Sequence, residues 1–440
     1  MDITMDITIE PREQLRGRTR VPGDKSISHR ALILSALAEG ETELEGLLEA
    51  EDPRSTYRCL QELGVEWAGD WRRLKVKGKG LLGLGEPRDI LDAGNSGTTA
   101  RLLLGVLAGQ PFFSALTGDA SLRNRPMGRV TEPLMKMGAR LDGRRDNTLL
   151  PLYVRGGELN PICYSMPVAS AQVKSALLLA GLYAGGTTEI IEPLLSRDHT
   201  ERMLLYMGGR VKREKDRIFL EAPAKLKAGN GKLKIPGDIS SAAFLLAAAA
   251  LAPKGELLIE EVGINPARTG ILDVLREMGA DVRILNQREY NFEPVADLFV
   301  QGGAPLQGVE IGGAMMPRLV DEIPVLAVAA LFAAGETRIS GAGELRFKET
   351  DRLRVLTMEL QKMGAQIKEL PDGLIIRGKD GVEGSSGIRG GCCASHGDHR
   401  IAMALAVAAL FARGETTIQQ AECVQISFPG FFELLRNLTA

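Results

Sequence analysis

The chain has 440 residues, 44% of them hydrophobic and 25% charged, which is too long for one compact core and predicts two or more domains. A formal net charge of −2 excludes a global basic field that would gather nucleic acid or an anionic membrane, so any anion site must be a local cluster. No run of about 20 apolar residues occurs, which predicts no membrane span, and the opening MDITMDITIEPREQ has neither the basic start of a secretory signal nor the low acidity of a transit peptide.

In chain order, six apolar segments of helical length each end at a small turn that leads into a β-like run. The turns are marked by Gly40, Gly109, Gly186, Gly255, Gly335 and Gly414, spaced 69 to 80 residues apart. Five units then carry a second, amphipathic helix that stops at a glycine: LQELG, LMKMG, LLYMG, LREMG and LQKMG. The glycine suits a left-handed helix cap, and the following run alternates as a strand in ADVRIL and AQIKEL. A sixth unit ends with FFELLRNL. The pattern predicts an α/β protein of six repeats. Val21-Pro22-Gly23-Asp24 is echoed by Ile235-Pro236-Gly237-Asp238, which divides the repeats three and three. One domain is expected over 21–236. A second comprises 1–20 with 237–440, and the active site is expected in the cleft between them.

The polar stretches before the six long helices are GDKSISHR, AGNSGTTAR, ASAQVKS, GDISSAAF, RLVDEIPV and SHGDHRIAM. Ser, Thr, Asp and Asn there are ordinary caps. Capping does not explain Lys25, Arg30, Arg101, Gln172, Lys174 or Arg400. A helix N-terminus flanked by cations suits phosphate or carboxylate. AGNSGTTAR is a glycine-rich turn into a helix, but neither a Walker A loop nor a dinucleotide fingerprint. GELRFKETDRLR alternates in charge and could be no more than a solvated helix start with internal ion pairs. His396 and His399 flank Asp398, but no further ligands accompany them, so no metal site is expected. The five cysteines, Cys59, Cys163, Cys392, Cys393 and Cys423, show no CxxC spacing and read as reduced thiols, which fits a cytoplasmic chain.

Taken together, PGDKSISHRAL, AGNSGTTARLL, LRNRPM, SAQVKSALLLAGL, SRDHTE, DEIPVLAVAA, RFKETDRL, GDHRIAMA and SFPGFFELL resemble the 5-enolpyruvylshikimate-3-phosphate (EPSP) synthase family, and its second bacterial class more than the plant-like one. The motifs occur in family order from residue 21 to the C-terminus. The resemblance implies a two-domain inside-out α/β barrel built from six βαβαββ units, three per domain. It implies transfer of the enolpyruvyl group of phosphoenolpyruvate to the 5-hydroxyl of 3-phosphoshikimate, with release of phosphate, in chorismate and aromatic amino acid biosynthesis. No cofactor and no metal are implied. The partners implied are the two small-molecule substrates, without nucleic acid or membrane, and a monomer is expected.

By resemblance, the 3-phosphoshikimate contacts fall on Lys25, Ser26, Arg30, Ser170, Ala171, Gln172, Arg197, Asp321 and Lys348. Those of phosphoenolpyruvate fall on Lys25, Gly97, Arg125, Gln172, Arg352 and Arg400. Asp321 matches the proton acceptor, while Glu349 and Lys25 are candidates for proton traffic at the enol carbon. Ala171 replaces the second serine of the plant-like pair, and Ile426 stands where some members carry a lysine. Gly97, without a Cβ, implies room for the inhibitor glyphosate. Two rivals are a UDP-N-acetylglucosamine enolpyruvyl transferase, disfavoured because TGDASLRNRPMG lacks that enzyme's cysteine, and a non-catalytic polyanion-binding repeat protein, which leaves Asp321 and Glu349 unexplained.

Overall fold

The computed structural model describes residues 5–222, 225–378 and 387–440; the first copy of the doubled MDIT, residues 1–4, lies outside them. The predicted long helices form at Lys25–Leu37, Gly97–Ala108, Ala171–Gly181, Ile239–Leu251, Ile323–Leu331 and His399–Leu410. Each is apolar nearly all round. In Ile239–Leu251 every residue but the last is buried, and in His399–Leu410 every residue is. A helix without a polar face must lie inside, and at about 1.5–3 kcal/mol per fully buried Leu or Ile side chain these helices supply much of the driving force for folding. The second helix of each repeat, for example Gly270–Glu277, is amphipathic and buries one side only. Five of these second helices run into Gly64, Gly138, Gly208, Gly279 and Gly364, all at positive φ, as the capping motif requires.

The described residues form six sheets. Five have four strands in one pattern: a first strand parallel to the second, which is antiparallel to the third and continues into the fourth. In the sheet of Leu91–Asp92, Phe113–Thr117, Leu149–Arg155 and Arg140–Gly143, strands and helices follow one another as βαβαββ. The third strand repeatedly crosses the C-terminal end of its inner helix at close range. A Cβ on Gly156 would sit 2.1 Å from the Gln110 carbonyl oxygen, and one on Gly378 would sit 1.9 Å from that of Ala333. Only glycine fits there.

The chain divides into two units. One contains Gly23–Pro236 with Glu289–Glu293; the other contains the residues through Pro22, Gly237–Arg288 and Pro294–Ala440. In the first, Lys232–Lys234 returns to pair in parallel with Glu39–Glu45, completing the sheet that opens the unit. In the other, Gln14–Arg20 pairs in parallel with Lys254–Gly263, and Ile7–Ile9 pairs antiparallel with Thr416–Gln419, in the sixth, three-stranded sheet. Each unit has its own apolar core around its three inner helices. Among the described residues, no helix is long and apolar enough to cross a membrane.

Candidate active site

The polar ends of the inner helices are capped as their sequences suggest. Asp24, Ser96, Asp238 and Asp398 accept from the backbone N–H of Ile27, Thr99, Ser240 and Arg400 at 2.8, 3.1, 2.8 and 2.9 Å. Each such cap is worth about 1 kcal/mol. The charged groups around them are a separate matter.

In the unit 23–236, Lys25 is half-buried and its Nζ lies 3.0 Å from the Asp52 carboxylate. Ser26 is half-buried beside it. Arg30 lies deeper. Its guanidinium donates to Thr200 Oγ1 at 2.7 Å, to Ser175 Oγ at 2.6 Å and to the Ser26 carbonyl at 2.9 Å. Burial pulls its pKa down to about 10, against the pull of Glu201 and Asp24, which still leaves it a cation at neutral pH. Ser170 caps Ala171–Gly181, and Ala171 and Gln172 form its half-buried first turn. The Gln172 amide is held at both ends: its Oε1 accepts from Arg101 at 2.8 Å, and its Nε2 donates to Thr98 Oγ1 at 3.0 Å. Arg125 donates to Asn95 Oδ1 at 2.6 Å and to Ser121 Oγ at 3.1 Å. Gly97 begins its helix just before Thr98. Arg197 is half-buried in the loop before His199–Tyr206. Beneath them runs a buried chain from His29 Nδ1 to Thr56 Oγ1 at 2.7 Å, on to Thr99 Oγ1 at 2.6 Å and Ser96 Oγ at 2.8 Å. Burial, with Lys25 and Arg30 nearby, holds His29 well below the ordinary imidazole pKa, so it stays neutral. Three helix mouths of one unit thus interlock by hydrogen bonds.

In the unit that holds 294–440, Asp321 sits in a short 3₁₀ turn before Ile323–Leu331 and is nearly buried. Three cations surround its carboxylate: Arg352 at 3.6 Å, Arg400 at 3.7 Å and Lys348 at 3.8 Å. Arg400 also donates to the Asp321 carbonyl at 2.9 Å. Arg352 is almost wholly buried, its Nε 2.7 Å from Asp398 and its Nη2 2.5 Å from Glu349. Burial alone would lower the Arg352 pKa, but Asp398, Glu349 and Asp321 together raise it. Burial would likewise raise Asp398; the field of Arg352 and the hydrogen bond it donates keep that acid below the usual range. A second set of contacts joins the remaining helix mouth: Arg268 donates to Asp238 at 2.9 Å and to Ser240 Oγ at 2.7 Å, and Ser240 hydroxyl meets Glu322.

Each unit therefore gathers its own share of the residues expected to contact substrate. Asp398 turns to Arg352 and to its own helix cap, and His396 Nε2 lies 2.8 Å from Glu359. Among the described residues, no cluster of metal-ligating side chains occurs. Lys174 departs from the expectation placed on it: it is no helix-mouth ligand but a fully buried ion pair with Glu192 and Glu201. GELRFKETDRLR is not simply a solvated helix start: Gly343–Phe347 is a 3₁₀ turn, and the helix opens at the buried Arg352. The sequence reading missed Asp52, Asn95, Thr98 and Thr200 as partners of the predicted cations. Asp52 stands where any acidic first-turn residue would, in Glu51-Asp52-Pro53, and Thr98 sits inside the glycine-rich turn already singled out; neither announced its partner.

These features define a class: a chain of six α/β repeats in two units, five built on four-stranded sheets and one on a three-stranded sheet, with cations and carboxylates collected at helix N-termini. A sequence model of the family described as EPSP synthase (3-phosphoshikimate 1-carboxyvinyltransferase) matches residues 9–435. Curated proteins named 3-phosphoshikimate 1-carboxyvinyltransferase align along the whole chain. That of Pelotomaculum thermopropionicum is 54% identical over 435 residues, 99% of both chains. That of Gloeobacter violaceus is 54% identical over 433 residues, 98% of both. The solved structure of EPSP synthase from Acinetobacter baumannii superposes with a TM-score of 0.89 at 42% identity, covering 99% of this chain and 98% of that one. The chain belongs to the EPSP synthase family.

Proposed function

We propose that this protein transfers the enolpyruvyl group of phosphoenolpyruvate to the 5-hydroxyl of 3-phosphoshikimate, giving 5-enolpyruvylshikimate 3-phosphate and phosphate. The observation that carries the reading is similarity at more than half identity over nearly the full length of proteins bearing that name. The UDP-N-acetylglucosamine reading is not favoured by any of these relatives.

The chemistry asks for cations and a base. The two substrates bring two phosphates and two carboxylates, which repel unless positive groups lie among them. Lys25, Arg125, Arg352 and Arg400 take that role with phosphoenolpyruvate, together with Gly97 and Gln172. With 3-phosphoshikimate the cations are Lys25, Arg30, Arg197 and Lys348, and Ser26, Ser170, Ala171, Gln172 and Asp321 are its further contacts. The 5-hydroxyl oxygen adds to C2 of the enol while C3 gains a proton, and Asp321 accepts the hydroxyl proton. Loss of a proton from C3 then restores the double bond as the C2–O bond to phosphate breaks. Glu349 and Lys25 carry the C3 proton. Arg352 and Arg400, each anchored by carboxylates, hold their charge without reorganisation, as electrostatic stabilisation requires.

In this reading 21–236 and 1–20 with 237–440 are the two functional domains, both serving one reaction. The enzyme acts as a cytoplasmic monomer on small molecules alone, without cofactor or nucleic acid. The test is phosphate release from phosphoenolpyruvate. It should depend on 3-phosphoshikimate, and release independent of that acceptor, or none at all, would overturn the assignment.

A further inference from the structure

Lys174 is one turn inside Ala171–Gly181, with its side chain fully buried. Its Nζ lies 2.7 Å from Glu201 and 3.1 Å from Glu192, and it donates to the Ser196 carbonyl at 3.3 Å. Glu192, itself fully buried, accepts from the Ser196 hydroxyl at 2.7 Å and from the Ser196 N–H at 3.3 Å, and meets Arg213 at 2.6 Å. All three polar groups of Ser196 are thus held by this cluster, and the next residue is Arg197. Glu201 lies beside Thr200, whose hydroxyl accepts a hydrogen bond from Arg30 Nε and pairs with Ser175 Oγ at 2.7 Å.

We propose that Lys174 is a positioning residue: with Glu192 it clamps Ser196 and thereby fixes Arg197 for the anionic ring substrate. The inference rests on the role given above to Arg197. The Lys174 ammonium is engaged by Glu201, Glu192 and the Ser196 carbonyl, so its donors are directed into this cluster rather than at a ligand. A lysine is placed in this core only at a desolvation cost, which two carboxylates offset. An apolar side chain could fill the volume but could not donate to the Ser196 carbonyl. The cluster also balances its own charge, two acids against Lys174 and Arg213. A neutral cluster with a rigid backbone output is what preorganisation of a binding arginine calls for.

The experiment measures KM for each substrate, kcat and the thermal midpoint in Arg197→Ala, Lys174→Met, Ser196→Ala and the Lys174→Met/Arg197→Ala pair. Arg197→Ala should raise KM for 3-phosphoshikimate by about tenfold or more, the worth of one charge-assisted contact. Lys174→Met should raise the same constant several-fold and leave KM for phosphoenolpyruvate within about twofold. It should add nothing in the Arg197→Ala background. Ser196→Ala, which removes one clamp without stranding a buried charge, should give a smaller rise of the same kind and decides the matter if Lys174→Met does not fold. Folded Lys174→Met or Ser196→Ala with an unchanged KM, while Arg197→Ala is impaired, overturns the inference alone. So does a full Lys174→Met effect on top of Arg197→Ala. An Arg197→Ala variant with normal KM overturns the role of Arg197 and the inference with it.

Discussion

Replacing Gly97 by alanine separates the fold from the site. A Cβ there would lie 2.6 Å from Arg101 Nη1, with Arg101 Cζ at 3.6 Å and Leu122 Cδ1 at 3.7 Å. An ordinary contact needs about 3.4 Å or more, so the guanidinium end must retreat by roughly 0.8 Å. Arg101 Nη1 currently donates to Gln172 Oε1 at 2.8 Å, and a displacement of that size carries the bond beyond hydrogen-bond length. A charge-assisted bond is worth about 1.5–3 kcal/mol, so kcat/KM for phosphoenolpyruvate should fall by about tenfold to a hundredfold. On the stability side the sign reverses. Gly97 is the first helical residue and does not require positive φ, so alanine gains up to about 1 kcal/mol of helix propensity. Steady-state phosphate release with phosphoenolpyruvate varied, beside a melting curve, reads both effects. Glyphosate inhibition should weaken in the same variant. Unchanged kcat/KM, or an equal loss when Gly97→Ala is made in an Arg101→Ala background, would refute the reasoning.

Arg352→Met leaves Asp398 buried without its main partner, which should cost about 3–5 kcal/mol and lower the melting temperature by roughly 5–10 °C in calorimetry; a loss of turnover without any loss of stability would contradict this. Asp321→Asn keeps the carbonyl that Arg400 holds but removes the base, so kcat should fall by about a hundredfold or more, well beyond what the loss of its contacts with Arg352, Arg400 and Lys348 takes from stability; near-normal kcat would exclude Asp321 as proton acceptor. Asp398 and Asp297 are two of the carboxyls held below their ordinary values that contribute to acid sensitivity. Asp398 lies below its ordinary value, and Asp297 sits at about 2 because Arg288, Asn286 and the Glu261 N–H outweigh the effect of burial. A group whose folded pKa is depressed contributes stability above its unfolded pKa and loses it as pH falls through the folded one. These two therefore add nothing to the pH dependence between neutrality and about pH 4, and lose their contribution from there towards pH 2. Urea midpoints at pH 7, 4.5, 3 and 2 test this, and a midpoint constant to pH 2 would count against it.

The repeat was legible because the six repeats carry the same physics in the same order: an apolar helix, a glycine turn, a strand, then an amphipathic helix, closed in five of them by a left-handed glycine. Helix mouths were legible because Asp24, Ser96, Ser170, Asp238 and Asp398 are cap residues at apolar boundaries. Pairing across distance was not. Asp52 and Thr200 become partners of Lys25 and Arg30 only once separate elements have packed, and no local pattern encodes that. Lys174 illustrates the opposite error. Next to Ser170, Ala171 and Gln172 it resembles one more anion ligand, yet helix geometry turns it inward, where Glu192 and Glu201 meet it from later elements.

The strands Ile7–Ile9 and Gln14–Arg20 impose an order of events on synthesis. Gly23–Pro236 can gather its sheets as soon as Lys232–Lys234 leaves the ribosome. The other unit is closed by an early part of the chain: Ile7–Ile9 waits for Thr416–Gln419, the last strand in the sequence. Until then the edge of Ile7–Ile9 stays unsatisfied, open to pairing with another nascent chain, whereas Gln14–Arg20 waits only for Lys254–Gly263. Closing so long a loop is slow, which leaves Ile7–Ile9 exposed to wrong pairing for longer than any strand whose partner lies nearby in sequence.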